Sequence, residues 1–182
     1  MANRLADAVT AGKARAVGVS NYSAEQMRET HAELERRGIP LASNQVEYSI
    51  LHREPEVDGV FDACREFGVA LIAYSPLAMG ALTGKYDMSH RPPDFLRNRV
   101  GPFRGRRLGR VAPVVALLHE LGEAHGKTPA QVALRWLIER GAFPIPGAKD
   151  GKQAHENAGA LTFTLSPSEV RRLADATVAW MR

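Results

Sequence analysis

Short apolar runs alternate with longer amphipathic stretches along this chain. Residues 14–20 (ARAVGVS) form a brief valine-containing run that ends on polar residues, which predicts a strand. A short helix over 5–11 leads into it. Ser23 and Gln26 have capping-box spacing, so a helix begins there; Met27 and Leu34 give it an apolar stripe and Gly38 a left-handed stop. The pattern then repeats. Residues 42–48 (ASNQVEY) predict a second strand. Pro55 suits a first helical turn, Val57, Val60, Phe61, Cys64 and Phe67 share one helical face, and Gly68 ends it. Residues 69–74 (VALIAY) predict a third strand, and their lack of alternation predicts cover on both faces.

A long connection follows, over about 75–110, rich in glycine and proline; loops of that length are usually functional. Helices are then expected over 111–125 and 129–140, the second opened by Thr128 and Pro129. Residues 142–146 (AFPIP) predict a fourth strand, and 152–159 a short helix. Ser166 and Glu169 form another capping box before a last helix reaching about 178. Strands that alternate with helices imply an α/β fold with parallel pairing. Two architectures fit, an open doubly wound sheet or part of a (β/α)8 barrel, and four strands are half of the latter. The 182 residues read as a single domain.

Composition narrows the function classes. Apolar residues make up 45% and charged residues 24%, as in ordinary globular chains. No apolar run approaches the roughly 18 residues of a membrane span, and the first dozen residues lack a secretory core. Cys64 is the single cysteine, so no intramolecular disulfide can form and the expected compartment is the reducing cytoplasm. No histidine pair has a third ligand at metal spacing, and no metal is expected. The net charge of +4 is local: residues 91–110 hold seven arginines against Asp94. Only Phe95 and Phe103 interleave with them, too few aromatics for a nucleic-acid surface. The segment suits a local anionic ligand or a solvated loop.

In both architectures ligands bind beyond the carboxyl ends of the strands. Those ends carry Ser20 and Asn21, then Asn44 and Gln45, then Tyr74 to Leu77, then Pro146 to Lys149. Amides that donate and accept match a carboxamide, and a tyrosine ring offers a flat face. Loop amides with a lysine near a helix start suit a phosphate. Together they fit a dinucleotide better than a sugar or a metal.

The stretches that carry these residues resemble the aldo-keto reductase family. They are 12–22 (GKARAVGVSNY), 44–49 (NQVEYS), 73–77 (AYSPL), 80–86 (GALTGKY), 128–134 (TPAQVAL), 144–149 (PIPGAK) and 156–161 (ENAGAL). The resemblance implies the carboxyl-terminal half of a (β/α)8 barrel that binds NADP(H) without a Rossmann motif. No G-x-G-x-x-G occurs in the chain. Carried over by position, Ser20, Asn21 and Gln45 would hold the nicotinamide carboxamide, and Tyr74 would stack on its ring. Ser75, Pro76, Leu77, Ala78 and Met79 would line the pyrophosphate, with Lys85 and Arg97 as counter-charges. Gly147, Lys149, Gln153, Glu156 and Asn157 would surround the adenosine and its 2′-phosphate. Lys149 and Lys152 favour NADPH on charge grounds.

The resemblance also implies what is absent. The family's catalytic Tyr, Lys, Asp and His lie in the other half of the barrel, so no catalytic residue transfers. Tyr22 and Tyr48 are local candidate acids, with His52 and Lys85 as helpers, but no spacing poises a Lys-Asp pair against either ring. The expected activity is reduction of an aldehyde or ketone once an amino-terminal half completes the site. The chain thus reads as a truncated piece of a longer enzyme. The alternative is a non-catalytic cofactor-binding or regulatory protein of the same lineage, as in potassium-channel β subunits. Half a barrel leaves two open strand edges, which permit self-association.

Overall fold

The computed structural model describes residues 2–95 and 97–180. Helix α1 (Ala2–Thr10) precedes strand β1 (Val17–Ser20). Helix α2 (Ala24–Glu35), β2 (Leu41–Glu47), α3 (Val60–Phe67) and β3 (Ala70–Tyr74) follow in strict alternation. Beyond the long connection come α4 (Arg107–His125), α5 (Pro129–Glu139), β4 (Phe143–Pro144), α6 (Gly151–Ala158) and α7 (Pro167–Asp175). The four strands form one parallel sheet in the order β1-β2-β3-β4. That sequential order is an arc of a barrel; a doubly wound sheet reverses its order at a switch point.

The capping chemistry sets the helix starts. Ser23, Thr128 and Ser166 each accept from the backbone N–H three residues on, and Gln26, Gln131 and Glu169 return the bond. Three boundaries depart from the sequence pattern. β1 starts at Val17 because Lys13 and Ala14 donate their N–H groups to the carbonyl of Ala8, tying residues 13–14 to the end of α1. The helix expected from Pro55 is broken: Glu54–Glu56 is one 3-10 turn, and α3 starts afresh after Gly59, whose φ is 85°, with Asp58 Oδ1 accepting from Val60 N–H. β4 is shorter than residues 142–146: the strand covers Phe143–Pro144, and the Ile145 N–H adds one more bond to the Ala73 carbonyl. The long connection is also less irregular than its composition implies. It holds 3-10 segments at Ala78–Thr83, Arg97–Arg99 and Gly101–Phe103, and α4 begins at Arg107 instead of 111.

The helices cover one face of the sheet. Val19, Val46, Leu71 and Ala73 point into a core with Met27, Leu34, Phe61, Leu118 and Trp136. β3 alternates: Leu71 and Ala73 are buried, and Ala70, Ile72 and Tyr74 are half-buried. The expectation of cover on both faces is met in full on the helix side of β3; among the described residues the concave side is only half-covered.

Candidate functional site

The register places the predicted residues of the first strands side by side. Ser20 pairs with Gln45, Gln45 with Ile72, and Ile72 with Phe143, so these four form one row on the concave face. One pleat further on, Glu47 pairs with Tyr74. Ser20 Oγ and the Asn21 N–H both donate to the Gln45 carbonyl, at 3.0 and 2.8 Å. Asn21 is left-handed, φ 56°. Asn44 holds the turn that follows. Fully buried, it donates from Nδ2 to the Tyr22 carbonyl at 2.9 Å, and its Oδ1 accepts from the Tyr22 N–H at 3.4 Å.

After β3 the chain turns sharply. Ser75, Ala78 and Met79 have φ of 51°, 49° and 56°, and Gly80 has 94°. The Ala78 N–H closes the turn on the Ser75 carbonyl, and the Gly80 N–H on that of Leu77. After β4, Gln153 Oε1 accepts from the Lys149 N–H at 2.9 Å, and Asp150 caps α6 through the Gln153 N–H at 2.7 Å. Asn157 Nδ2 reaches the Gly147 carbonyl at 3.3 Å.

Between these two loops and the arginine-rich segment lies a cleft of about 910 Å³. It gathers Ser75, Pro76, Leu77, Met79, Lys85, Arg97, Gly147, Lys149, Gln153, Glu156 and Asn157. Ser20, Asn21, Gln45 and Tyr74 are not in its lining; they sit at the strand ends on the neighbouring concave face. Ala78 is buried and contributes its backbone turn. The cleft also contains residues that the strand-end reading passed over: Thr83, Tyr86, Arg99 and Thr128. Tyr86 directly follows Lys85 in the GALTGKY stretch, a signal that was available. Arg99 carries no such mark; it packs its guanidinium over Phe95, 4.0 Å from the ring centroid. Lys85, Arg97, Arg99 and Lys149 outnumber Asp94 and Glu156, so the lining is cationic.

The local candidate acids lead elsewhere. Tyr48 is fully buried and donates to Glu56 Oε1 at 2.6 Å; burial first, and the adjacent carboxylate second, push its phenol well above the usual range. It cannot act as an acid near neutral pH. Tyr22 is tied at its backbone to Asn44 and packs against the core. His52 Nε2 lies 3.6 Å from Glu54. Among the described residues no three His, Cys, Asp or Glu form a group that could hold a metal, and no helix is long and apolar enough to cross a membrane. Burial pushes the Cys64 thiol up to about 11, so it is inert.

The geometry has counterparts. Residues 1–177 match the model of the Aldo/keto reductase family. A chloroplastic pyridoxal reductase of Arabidopsis thaliana is 41% identical over 166 residues, which are 89% of this chain and 43% of that protein. An L-glyceraldehyde 3-phosphate reductase of Escherichia coli O157:H7 is 36% identical over 94% of this chain and 52% of its own length. An aldo-keto reductase of Schizosaccharomyces pombe, whose name specifies NADP(+), is 35% identical over 92% of the chain and 49% of its own. The structure of a glycerol dehydrogenase from Gluconobacter oxydans superimposes with a TM-score of 0.86 at 27% identity, over 98% of this chain and 53% of that one. The chain thus spans about half the length of the relatives it matches.

Proposed function

The chain belongs to the aldo/keto reductase family, an oxidoreductase family of (β/α)8 barrels, and from that premise we propose that it is the cofactor-binding half of an NADP(H)-dependent carbonyl reductase. One observation carries the reading. Among the described residues, the non-glycine positions with left-handed backbone are Asn21, Ser75, Ala78 and Met79. All four fall among the positions that the family resemblance selects for the dinucleotide. Each such conformation costs about 1 kcal/mol or more, and such strain clusters at ligand clamps and active sites. Nothing in the resemblance depends on φ, so the agreement is independent support.

The donor set fits the group. Lys85, Arg97 and Arg99 bring positive charge to a diphosphate, and the turn from Ser75 to Met79 lines the same wall. Lys149 would take the 2′-phosphate, with Gln153 and Asn157 beside the adenosine. Ser20, Asn21 and Gln45 would orient the carboxamide, and Tyr74 would support one ring face. NADPH supplies the hydride when bound. This chain would orient that end of the cofactor; among its described residues the candidate acid Tyr48 is committed to Glu56, and the acid for the developing alkoxide would come from the other barrel half. The substrate is a small-molecule aldehyde or ketone, and the compartment is the cytoplasm.

A fluorescence titration of the 182-residue chain with NADPH, followed by addition of a carbonyl compound, tests this. Saturable binding without NADPH oxidation is expected, weakening as salt rises. No binding at any salt concentration rejects the reading. Turnover by this chain alone would reject the assignment of the acid to the other half.

A further inference from the structure

We propose that Gln131, in the first turn of α5, is a positioning residue for the adenosine half of the dinucleotide, acting through Glu156 and Asn157. The proposal rests on the assignment of the adenosine to that end of the cleft. Gln131 itself stands behind the lining, and its side chain is fixed at both ends. Oε1 accepts from the Thr128 N–H at 2.9 Å, which closes the capping box of α5. Nε2 donates to the Glu156 carbonyl at 2.7 Å, in the last turn of α6. Thr128, Glu156 and Asn157 all line the cleft, so one amide sets the spacing between two parts of its wall.

Capping alone does not call for an amide. The box at Ser166 is closed by the carboxylate of Glu169, which accepts from the Ser166 N–H at 2.7 Å. At position 131 the two partners are backbone groups of opposite polarity, one N–H and one C=O. A side-chain amide satisfies both in a single orientation, and a carboxylate satisfies only the first.

The glycine at 159 answers to the same contact. Its backbone is ordinary right-handed helix, φ −57° and ψ −19°, open to residues with a side chain. What excludes a side chain is Gln131: a Cβ at Gly159 would lie 2.1 Å from Nε2 and 3.0 Å from Cδ. The bare glycine lets the amide pass on its way to Glu156.

The anchoring carries through α6 to the loop after β4. Asn157 Nδ2 donates to the Gly147 carbonyl at 3.3 Å, and the Lys149 N–H donates to Gln153 Oε1 at 2.9 Å. The loop that carries Lys149 is thus tied to α6, and α6 to the cap of α5. Release of the amide frees α6 and this loop to shift together. Ser20, Gln45 and Tyr74 lie on β1, β2 and β3, so the loss should be confined to the adenosine half.

Calorimetric titration of the full chain with NADPH, and with adenosine 2′,5′-bisphosphate as the adenosine half alone, tests the proposal. Gln131→Glu keeps an acceptor for the Thr128 N–H but turns an oxygen toward the Glu156 carbonyl. Gly159→Ala displaces the amide, the far end of a flexible side chain, without adding charge. Both variants should stay folded by circular dichroism and bind each ligand about fivefold more weakly, the scale of one hydrogen bond. Wild-type affinity in both variants overturns the proposal. A loss in Gln131→Glu alone does so too, because it reports the added charge. A larger loss for NADPH than for the bisphosphate shows a general loosening of the site and also overturns it. So does a Gly159→Ala chain that fails to fold, since the amide and not the backbone should yield. A wild-type chain that binds neither ligand rejects the cofactor reading itself, and this inference with it.

Discussion

The Tyr48 hydroxyl and Glu56 Oε1 are 2.6 Å apart, and both groups are closed off from solvent. Arg53 grips the same carboxylate through Nε at 3.0 Å and Nη2 at 2.7 Å, and Arg140 adds a contact at 3.1 Å. Arg53 also donates to the Ala174 carbonyl at 2.8 Å, which ties the end of α7 to the connection after β2. The Arg53 and Glu56 side chains are 9% and 8% exposed, so this is a buried pair with its hydrogen bonds made.

Removing one charge from such a pair leaves the other uncompensated. Glu56→Gln should therefore cost about 3 kcal/mol, measured by urea unfolding. The pH dependence has a definite sign. Burial alone would raise Glu56; the bonds from Arg53 and Tyr48 and the two guanidinium charges outweigh it and hold the carboxyl below its usual range. Its stabilising contribution is complete above the unfolded carboxyl pKa and is lost as pH falls through the lower folded value. Wild-type stability should thus fall in acid more steeply than that of Glu56→Gln. Parallel profiles would remove Glu56 from the account.

Asn44 is a buried polar residue whose amide satisfies both backbone groups of Tyr22. Asn44→Ala removes both of these buried hydrogen bonds and should cost about 2 kcal/mol. The turn just after Asn21 loses its anchor in the same step. NADPH affinity should drop in Asn44→Ala even under conditions where the variant is fully folded by circular dichroism.

Tyr74 sits one pleat beyond the row of Ser20 and Gln45. Tyr74→Ala should lose about 1 kcal/mol of ring stacking, a fivefold weaker NADPH complex by fluorescence. Tyr74→Phe should retain the affinity. Equal affinity in Tyr74→Ala would take the ring out of the site.

Two glycines of α4 should respond in opposite directions. A Cβ at Gly122 would meet the Lys127 carbonyl oxygen at 2.5 Å, backbone that cannot step aside. Gly122→Ala should destabilise by about 2 kcal/mol. At Gly109 the nearest atoms are those of Met88 at 3.7 Å, an ordinary contact. Gly109→Ala should be neutral or stabilise by about 0.5 kcal/mol through helix propensity. Thermal unfolding of the two variants separates the cases.

Local chemistry alone determined much of this protein. The three capping boxes, the left-handed stops at Gly38 and Gly68 and the alternation of strands with helices are written within a few residues of each other, because each is closed by hydrogen bonds over three or four positions. The turn after β3 and the loop after β4 were legible for the same reason, since each is a contiguous stretch. What needed the tertiary structure was everything that depends on distance across the sheet. The order β1-β2-β3-β4 decided between an arc and a doubly wound sheet, which the element sequence left open. β3 reads as buried on both faces, but whether a second layer exists is not a property of its six residues. Tyr48 looks like a candidate acid until Glu56, Arg53 and Arg140 close around it. Arg99 joins the cleft only because the 97–103 segment folds against the turn after β3. Burial and pairing across the fold set the protonation and the exposure of a side chain, and these are sums over neighbours far away in sequence.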